Sequence, residues 1–189
     1  MAPSRPPSHA PYLHRGWRYL ELQFRSGVAQ TRMLRWCPDW LLIGYTRTML
    51  AALLLRPRPV RIAVIGLGGG AQAKFCHRHL RHSRIEVVEN DPGVLALRGA
   101  FRIPADDARL AVEPGDGATW LRERTGRYDL LLVDAYDIDG IPPAIALEQR
   151  NARLDFADRE RIERHADLVR LGVNAGVFVH GGLLGWRQV

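Results

Sequence analysis

The sequence predicts an α/β protein with a mainly parallel β-sheet, because short apolar segments alternate with helical ones through most of the chain. These short segments are rich in β-branched residues, as expected for strands that are buried on both faces. The first of them, 60–65, runs directly into the glycine-rich turn 66–70. Right-handed crossovers between parallel strands then place a ligand at their carboxyl ends.

The segment that precedes this sheet has a different pattern. Alternating polar and apolar residues over 17–33, interrupted by Ser26-Gly27, predict a small antiparallel β-hairpin. A broad apolar face predicts a helix over 38–55, which ends at the proline pair of Arg56-Pro57-Arg58-Pro59. We therefore divide the chain into a flexible tail (1–11), a small β/helix segment (12–59) and the α/β domain (60–189).

The α/β domain is predicted to contain five strands and four helices. The strands are expected at 60–65, 85–89, 109–113, 128–133 and 175–180. The helices are expected at 71–81, 92–100, 118–124 and, with a polar composition, 144–171.

Composition excludes several classes of protein. No stretch approaches the ~20 apolar residues of a membrane span, and prolines stand where a signal peptide needs its apolar segment, so we expect a cytoplasmic protein. Cys37 and Cys76 form no CxxC pair and are expected to be reduced thiols. The formal net charge of +7 lies entirely within residues 1–60, where scattered arginines favour a solvated basic surface over nucleic-acid binding.

The first candidate site is the glycine turn VIGLGGG between a strand and a helix. Gly66, Gly68 and Gly70 let the backbone turn tightly and present its N–H groups to a ligand. Glu89 follows at the end of the next strand, where a carboxylate is placed to accept ribose hydroxyls. The alternative is that the glycines only permit close packing of helix and strand.

The second candidate site follows the third strand of the α/β domain. Asp116, with Gly117 after it, lies in a glycine-flanked turn and is able to accept a proton from an adenine amino group. A simple Asx turn is the alternative.

The third candidate site follows the fourth strand. Asp134, Asp137 and Asp139 lie within six positions, and crowded carboxylates raise each other's proton affinity. Such a cluster suits a metal ion or an amine, since a carboxylate both holds an ammonium group and accepts its proton. The alternative is an acidic, solvated loop.

Together the motifs VIGLGGG, VVENDP, GDGATWL and YDLLLVDAYD resemble those of the spermidine synthase (aminopropyltransferase) family, which has the class I S-adenosylmethionine-dependent methyltransferase fold. The resemblance extends from about residue 17 to 143 and includes the small β-rich segment that precedes the sheet in that family. It implies a Rossmann-like domain that binds S-adenosylmethionine or its decarboxylated form and transfers an aminopropyl group to a polyamine, without a metal ion.

The resemblance also implies roles for individual residues. Gly66, Gly68, Gly70, Glu89, Asp116 and Gly117 would bind the nucleoside co-substrate. Asp134 would position and deprotonate the attacking amine, with Asp137 assisting. Gln30, Tyr45 and Asp139 would contact the amine substrate.

Three departures from the family pattern favour functions other than aminopropyl transfer. Gly69 and Arg47 stand where the family has acids, and the C-terminal strand pair of a complete fold is expected to be missing. A methyltransferase of unknown acceptor and a non-catalytic nucleoside-binding homologue are therefore the competing hypotheses. A sheet edge left bare by a shortened C-terminus favours association, so a homodimer is expected.

Overall fold

A computed structural model describes residues 11–25, 28–54, 56–124 and 128–135, together with the backbone of 176–179 and 182–183. The predicted helix 144–171, nearly all of the predicted tail, Asp137 and Asp139 lie outside these residues.

The N-terminal segment forms a three-stranded antiparallel sheet in the order β1-β2-β3. Its strands are β1 (Tyr12–Arg15), β2 (Tyr19–Arg25) and β3 (Val28–Leu34). Strands β2 and β3 are the predicted hairpin, with Leu22 opposite Thr31. The sequence analysis missed β1, because its four residues, YLHR, are mostly exposed and too short to show a hydrophobic period.

The first helix is shorter than predicted. Helix α1 spans Gly44–Leu50 and continues into a 3₁₀ turn at Ala51–Leu54, whereas the sequence predicts a helix from residue 38. Trp40 N instead donates to Cys37 O in a turn, at 3.1 Å. Residues 41–43 continue the apolar pattern that predicts the helix, but Leu41 packs against the core without helical geometry.

The larger sheet has six strands in the order β6-β5-β4-β7-β8-β9. Four of them are parallel, namely β4 (Arg61–Ile65), β5 (Arg84–Glu89), β6 (Leu110–Pro114) and β7 (Leu130–Val133). The connecting helices are α2 (Ala71–His79), α3 (Pro92–Ala96) and α4 (Gly117–Arg122). This confirms the predicted α/β class, although each of these helices ends earlier than predicted.

The C-terminal edge of the sheet differs from the prediction. The strand expected at 175–180 is present as β8 (Gly176–Val179), but it runs antiparallel to β7. Strand β9 (Gly182–Leu183), which the sequence analysis does not predict, pairs antiparallel with β8. The direction of a strand depends on the path of the connecting chain, which the residues of the strand itself do not reveal.

Strand β4 is buried on both faces, because its side chains alternate between two apolar clusters. Ile62 and Val64 pack in the larger cluster, which also contains residues of the N-terminal sheet and of α1, α2 and α3. Ala63 and Ile65 pack on the opposite face with residues of α4. The N-terminal sheet and one face of the parallel sheet therefore share a continuous core. No helix in the described parts of the chain is long and apolar enough to cross a membrane.

Leu22→Ala tests this shared core. Leu22 lies in β2, its side chain is 1% exposed, and its truncation should lower the free energy of unfolding by about 2–5 kcal/mol. Leu54→Ala is the control, because that side chain is 61% exposed and its loss should change stability by less than ~0.5 kcal/mol. Chemical denaturation monitored by circular dichroism measures both. A Leu22→Ala protein whose main transition is unchanged would contradict the shared core.

Candidate functional site

The glycine turn after β4 passes close to the backbone that follows β7. Gly66 has φ +91°, and a Cβ placed on it would lie 2.5 Å from the carbonyl oxygen of Asp134 at the end of β7. Gly66 N donates to Val88 O at 2.8 Å, and Asp134 N donates to Ile65 O at 2.8 Å. A side chain at position 66 is therefore excluded by both backbone conformation and space.

The turn ends at Gly70, which begins helix α2 with φ +67°. A Cβ at this position would lie 2.4 Å from Cγ1 of Ile103. Gly68 has φ +49°, and a Cβ placed on it would lie 3.2 Å from Oγ1 of Thr31. The three predicted glycines thus form a tight turn at the carboxyl edge of the sheet, which is where this fold class binds ligands.

Glu89 is fixed against the same turn. Its side chain is 7% exposed, and Oε2 accepts a hydrogen bond from Leu67 N at 2.7 Å. The other oxygen, Oε1, accepts from Asp91 N at 2.9 Å. Since each carboxylate oxygen can accept two hydrogen bonds, both retain capacity for a ligand hydroxyl.

Asp116 caps helix α4. Its Oδ1 accepts from Thr119 N at 2.8 Å, and this bond, followed by one from the Thr119 hydroxyl, lowers the pKa of the carboxyl. Gly117 is the buried first residue of the helix. Asp116 therefore forms the local side-chain-to-backbone bond that the Asx alternative predicts. Its carboxylate is also exposed and retains lone pairs that can accept a hydrogen bond from a further donor.

Asp134 lies directly after β7 and carries a perturbed carboxyl. As a residue it is partly exposed, but its carboxyl group lies deep among neighbouring atoms. Burial raises its pKa to about 7, assisted by the nearby charge of Glu89 and opposed by a hydrogen bond from Tyr45. The hydroxyl of Tyr45, on α1, donates to Oδ2 at 3.5 Å. Asp134 therefore changes protonation near neutral pH.

A small pocket connects Asp134 to the N-terminal sheet. Tyr45 and Asp134 line it together with Gly69 and Thr31, and its volume of about 10 Å³ is the space of roughly one water molecule. The N-terminal sheet and helix α1 thus form one wall of the candidate site.

The sequence analysis missed Thr31. Gly69 N donates to Thr31 Oγ1 at 3.3 Å, and a Cβ on Gly69 would lie 2.1 Å from Thr31 Cγ2. This contact explains why Gly69, rather than a longer residue, stands in the turn. The available signal was the alternation of β3, which places Thr31 two residues before buried Met33 and hence on the same face.

Two other residues that the sequence analysis singled out have no described contact with Asp134 or the glycine turn. Gln30 is the extra residue of a β-bulge in β3, and its side chain is exposed. Arg47 is exposed and its Nε donates to Leu41 O at 2.7 Å. Among the residues that the structure describes, no three His, Cys, Asp or Glu side chains cluster closely enough to hold a metal ion.

Comparison with known proteins identifies relatives of two kinds. The chain is 33% identical over 128 residues to the polyamine aminopropyltransferase of Chromobacterium violaceum, covering 67% of this chain and 49% of that protein. It is 31% identical over 129 residues to the enzyme of the same name from Neisseria meningitidis, with equal coverage. It is 29% identical over 131 residues to the eEF1A lysine and N-terminal methyltransferase of Xenopus laevis, covering 64% of this chain and 18% of that protein. No family model matches the chain.

Two solved structures share the fold. A probable spermidine synthase from Corynebacterium glutamicum superposes with a TM-score of 0.61 at 17% identity, covering 71% of this chain and 52% of that one. A spermidine synthase in complex with the transition-state analogue AdoDATO superposes with a TM-score of 0.51 at 17% identity, covering 67% and 46%.

The strand order and the glycine turn at the carboxyl edge define a protein of the class I S-adenosylmethionine-dependent methyltransferase fold. Within that class, the matched part of the chain is similar to the curated polyamine aminopropyltransferases, which confirms the resemblance of its motifs to the spermidine synthase-like (aminopropyltransferase) family. The chain spans about half the length of the curated aminopropyltransferases that it matches.

Asp134→Asn tests the burial of this carboxyl through stability. Because folding raises the pKa of Asp134 to about 7, the folded protein loses stability as pH rises from the ordinary Asp range towards 7. Asn carries no such cost, so its stability advantage over Asp should grow by about 2 kcal/mol between pH 5 and pH 8.

Denaturation at both pH values measures this difference, with Glu123→Gln as the control, because that side chain is 66% exposed. An advantage that stays constant with pH would show that the carboxyl is well solvated.

Proposed function

We propose that the protein is an aminopropyltransferase that uses decarboxylated S-adenosylmethionine and an amine acceptor. The observation that carries this proposal is the deep carboxyl of Asp134, which lies against the glycine turn and has a pKa raised to about 7. The curated relatives named polyamine aminopropyltransferase support it.

The chain's own residues supply binding and proton transfer. The glycine turn and Glu89 would hold the nucleoside, with Asp116 receiving the adenine amino group. Asp134 would bind the ammonium form of the acceptor and then take one of its protons. A carboxylate whose pKa lies near the working pH is efficient in this role.

The reaction is a direct displacement. The neutral amine nitrogen attacks the carbon next to the sulfonium, a C–N bond forms, and the C–S bond breaks with its electron pair going to sulfur. The products are the extended amine and a thioether nucleoside, while the proton leaves through Asp134. Orientation of the two substrates supplies much of the rate acceleration in such a reaction.

The contact between Gly69 and Thr31 favours a second candidate. The 2.1 Å separation leaves no room for the acidic side chain that the family pattern places at position 69. A donor that carries a carboxylate would therefore meet less repulsion here. Methyl transfer from intact S-adenosylmethionine is the corresponding function, and the relatives named eEF1A lysine and N-terminal methyltransferase are consistent with it.

The remaining expectations are also proposals. We infer that the acceptor is a polyamine, that the protein works in the cytoplasm, and that it forms a homodimer. An edge strand such as β6, paired on one side within the described sheet, offers backbone groups for association. Sedimentation equilibrium measures the oligomeric state.

Calorimetric titration of three nucleosides separates the two donor hypotheses. Decarboxylated S-adenosylmethionine should bind at least roughly tenfold more tightly than S-adenosylmethionine if the protein is an aminopropyltransferase. The reverse order would favour methyl transfer, and methylthioadenosine should bind in either case. Failure of all three to bind would exclude both functions and leave a homologue without nucleoside binding.

Glu89→Gln should weaken the binding of all three nucleosides by roughly tenfold, because a charged hydrogen-bond acceptor is replaced by a neutral amide. Glu123→Gln is the matched control in the same titration. Equal affinities for the two variants would remove Glu89 from the binding site.

Replacement of Asp134 tests the proton acceptor. Asp134→Asn should lower kcat by about 10²–10⁴-fold while leaving nucleoside affinity within roughly twofold, since the amide cannot accept the proton. In the unmodified protein, kcat/KM for the amine should rise with pH and level above about 7, and this rise should vanish in the variant. Asp106→Asn, a change at a side chain that is 52% exposed, is the control. A variant that retains activity and its pH profile would contradict the assigned role.

A further inference from the structure

A second groove lies at the edge of the sheet opposite Asp134. Its walls come from the C-terminal half of α2 with the turn after it, and from Arg109, which directly precedes β6. Because the strands are parallel, the start of β6 lies at the amino edge, whereas Asp134 and Glu89 lie at the carboxyl edge. The groove is open to solvent and has a volume of about 510 Å³. It is lined by Asp39, Lys74, His77, Arg78, Arg81, Pro104 and Arg109.

The lining is strongly basic. The spacing of Lys74, His77 and Arg78 places them on one face of α2, and Arg81 follows in the turn. Asp39 is the acid in the lining, and it already forms an ion pair with Arg78. The groove therefore retains an excess of positive charge after its internal pairing.

Among the described residues, Arg109 and His77 are held in place by hydrogen bonds, whereas the side chain of Arg81 is not. The guanidinium of Arg109 donates to His77 O at 3.0 Å and to Leu80 O at 3.4 Å, which fixes it at the end of α2. His77 Nε2 lies 2.8 Å from Asp107 Oδ2. Within the described parts of the chain, Arg81 makes no hydrogen bond or ion pair, and its exposed side chain is available to a ligand.

Lys74 is the unusual member of the set. It is the only lysine among the 27 Lys and Arg residues of the chain, and it is 3% exposed. Its Nζ donates to Phe101 O at 2.9 Å. Burial lowers the pKa of Lys74 to about 8, opposed by the charge of Asp39 and aided by that of Arg102. A buried cation without a full counter-charge is costly, and an anion in the groove would offset that cost.

We propose that this groove is a binding site for a small ligand that carries one or two phosphate groups. A phosphate accepts several hydrogen bonds at once from guanidinium forks and from the point charge of a lysine, which is the combination present here. The groove has only seven lining residues, and this short length favours a small ligand over a nucleic acid, which needs a longer basic track. This inference does not depend on the proposed transferase activity.

Calorimetric titration with inorganic pyrophosphate at constant ionic strength tests the proposal. The unmodified protein should bind one equivalent, and Arg81→Glu should weaken the affinity by at least roughly tenfold because it reverses a charge in the lining. Arg15→Glu is the matched control: it makes the same change of charge at an exposed residue of β1 outside the groove, and the affinity should stay within roughly twofold. Thermal unfolding establishes that both variants are folded.

Lys74→Met provides a second variant, because it removes the charge while retaining an apolar stem of similar length. Its pyrophosphate affinity should also fall by at least roughly tenfold. Absence of pyrophosphate binding to the unmodified protein would overturn the proposal, as would equal weakening by Arg81→Glu and Arg15→Glu. Binding of duplex DNA that displaces pyrophosphate and is weakened equally by these two variants would identify a general basic surface and would overturn it as well.

Discussion

The approach of the β4 turn to the end of β7 determines the geometry of the candidate site. A Cβ on Gly66 would lie 2.5 Å from the carbonyl oxygen of Asp134, so this closeness requires glycine. The same approach places the Asp134 carboxyl near Glu89 and beneath Tyr45, where burial raises its pKa. A larger residue at position 66 would push β7 away from β4 and would change the position, solvation and protonation of Asp134 together.

The candidate active site and the basic groove lie at opposite edges of the parallel sheet. The carboxylates of Glu89 and Asp134 lie at the carboxyl edge, around the glycine turn. Basic side chains gather at the amino edge, around Arg81 and Arg109. The formal net charge of +7 says little about the candidate active site, because the excess of basic residues lies within residues 1–60, whereas Glu89 and Asp134 lie in the α/β domain.

The parts of the fold that are encoded locally were predictable from the sequence. β-Branched runs gave β4 and β5, and the glycine spacing gave the turn and the position of Glu89. Features that depend on distant parts of the chain were not predictable in this way. The antiparallel direction of β8 depends on the chain that precedes it, and the contact of Thr31 with Gly69 joins residues 38 positions apart. Helix α1 begins later than predicted, because an apolar pattern indicates burial rather than helical geometry and Leu41 packs against the core outside the helix.

The proposed role of Asp134 is to accept the proton of an amine substrate. Carbon-13 NMR of the labelled carboxyl, assigned with Asp134→Asn, follows its titration directly. The titration midpoint of Asp134 should lie near pH 7 in the free protein. It should shift to lower pH when a thioether nucleoside and an amine are bound, because the ammonium favours the ionised carboxylate. A midpoint in the ordinary range of aspartate, or one that does not respond to the amine, would contradict this role.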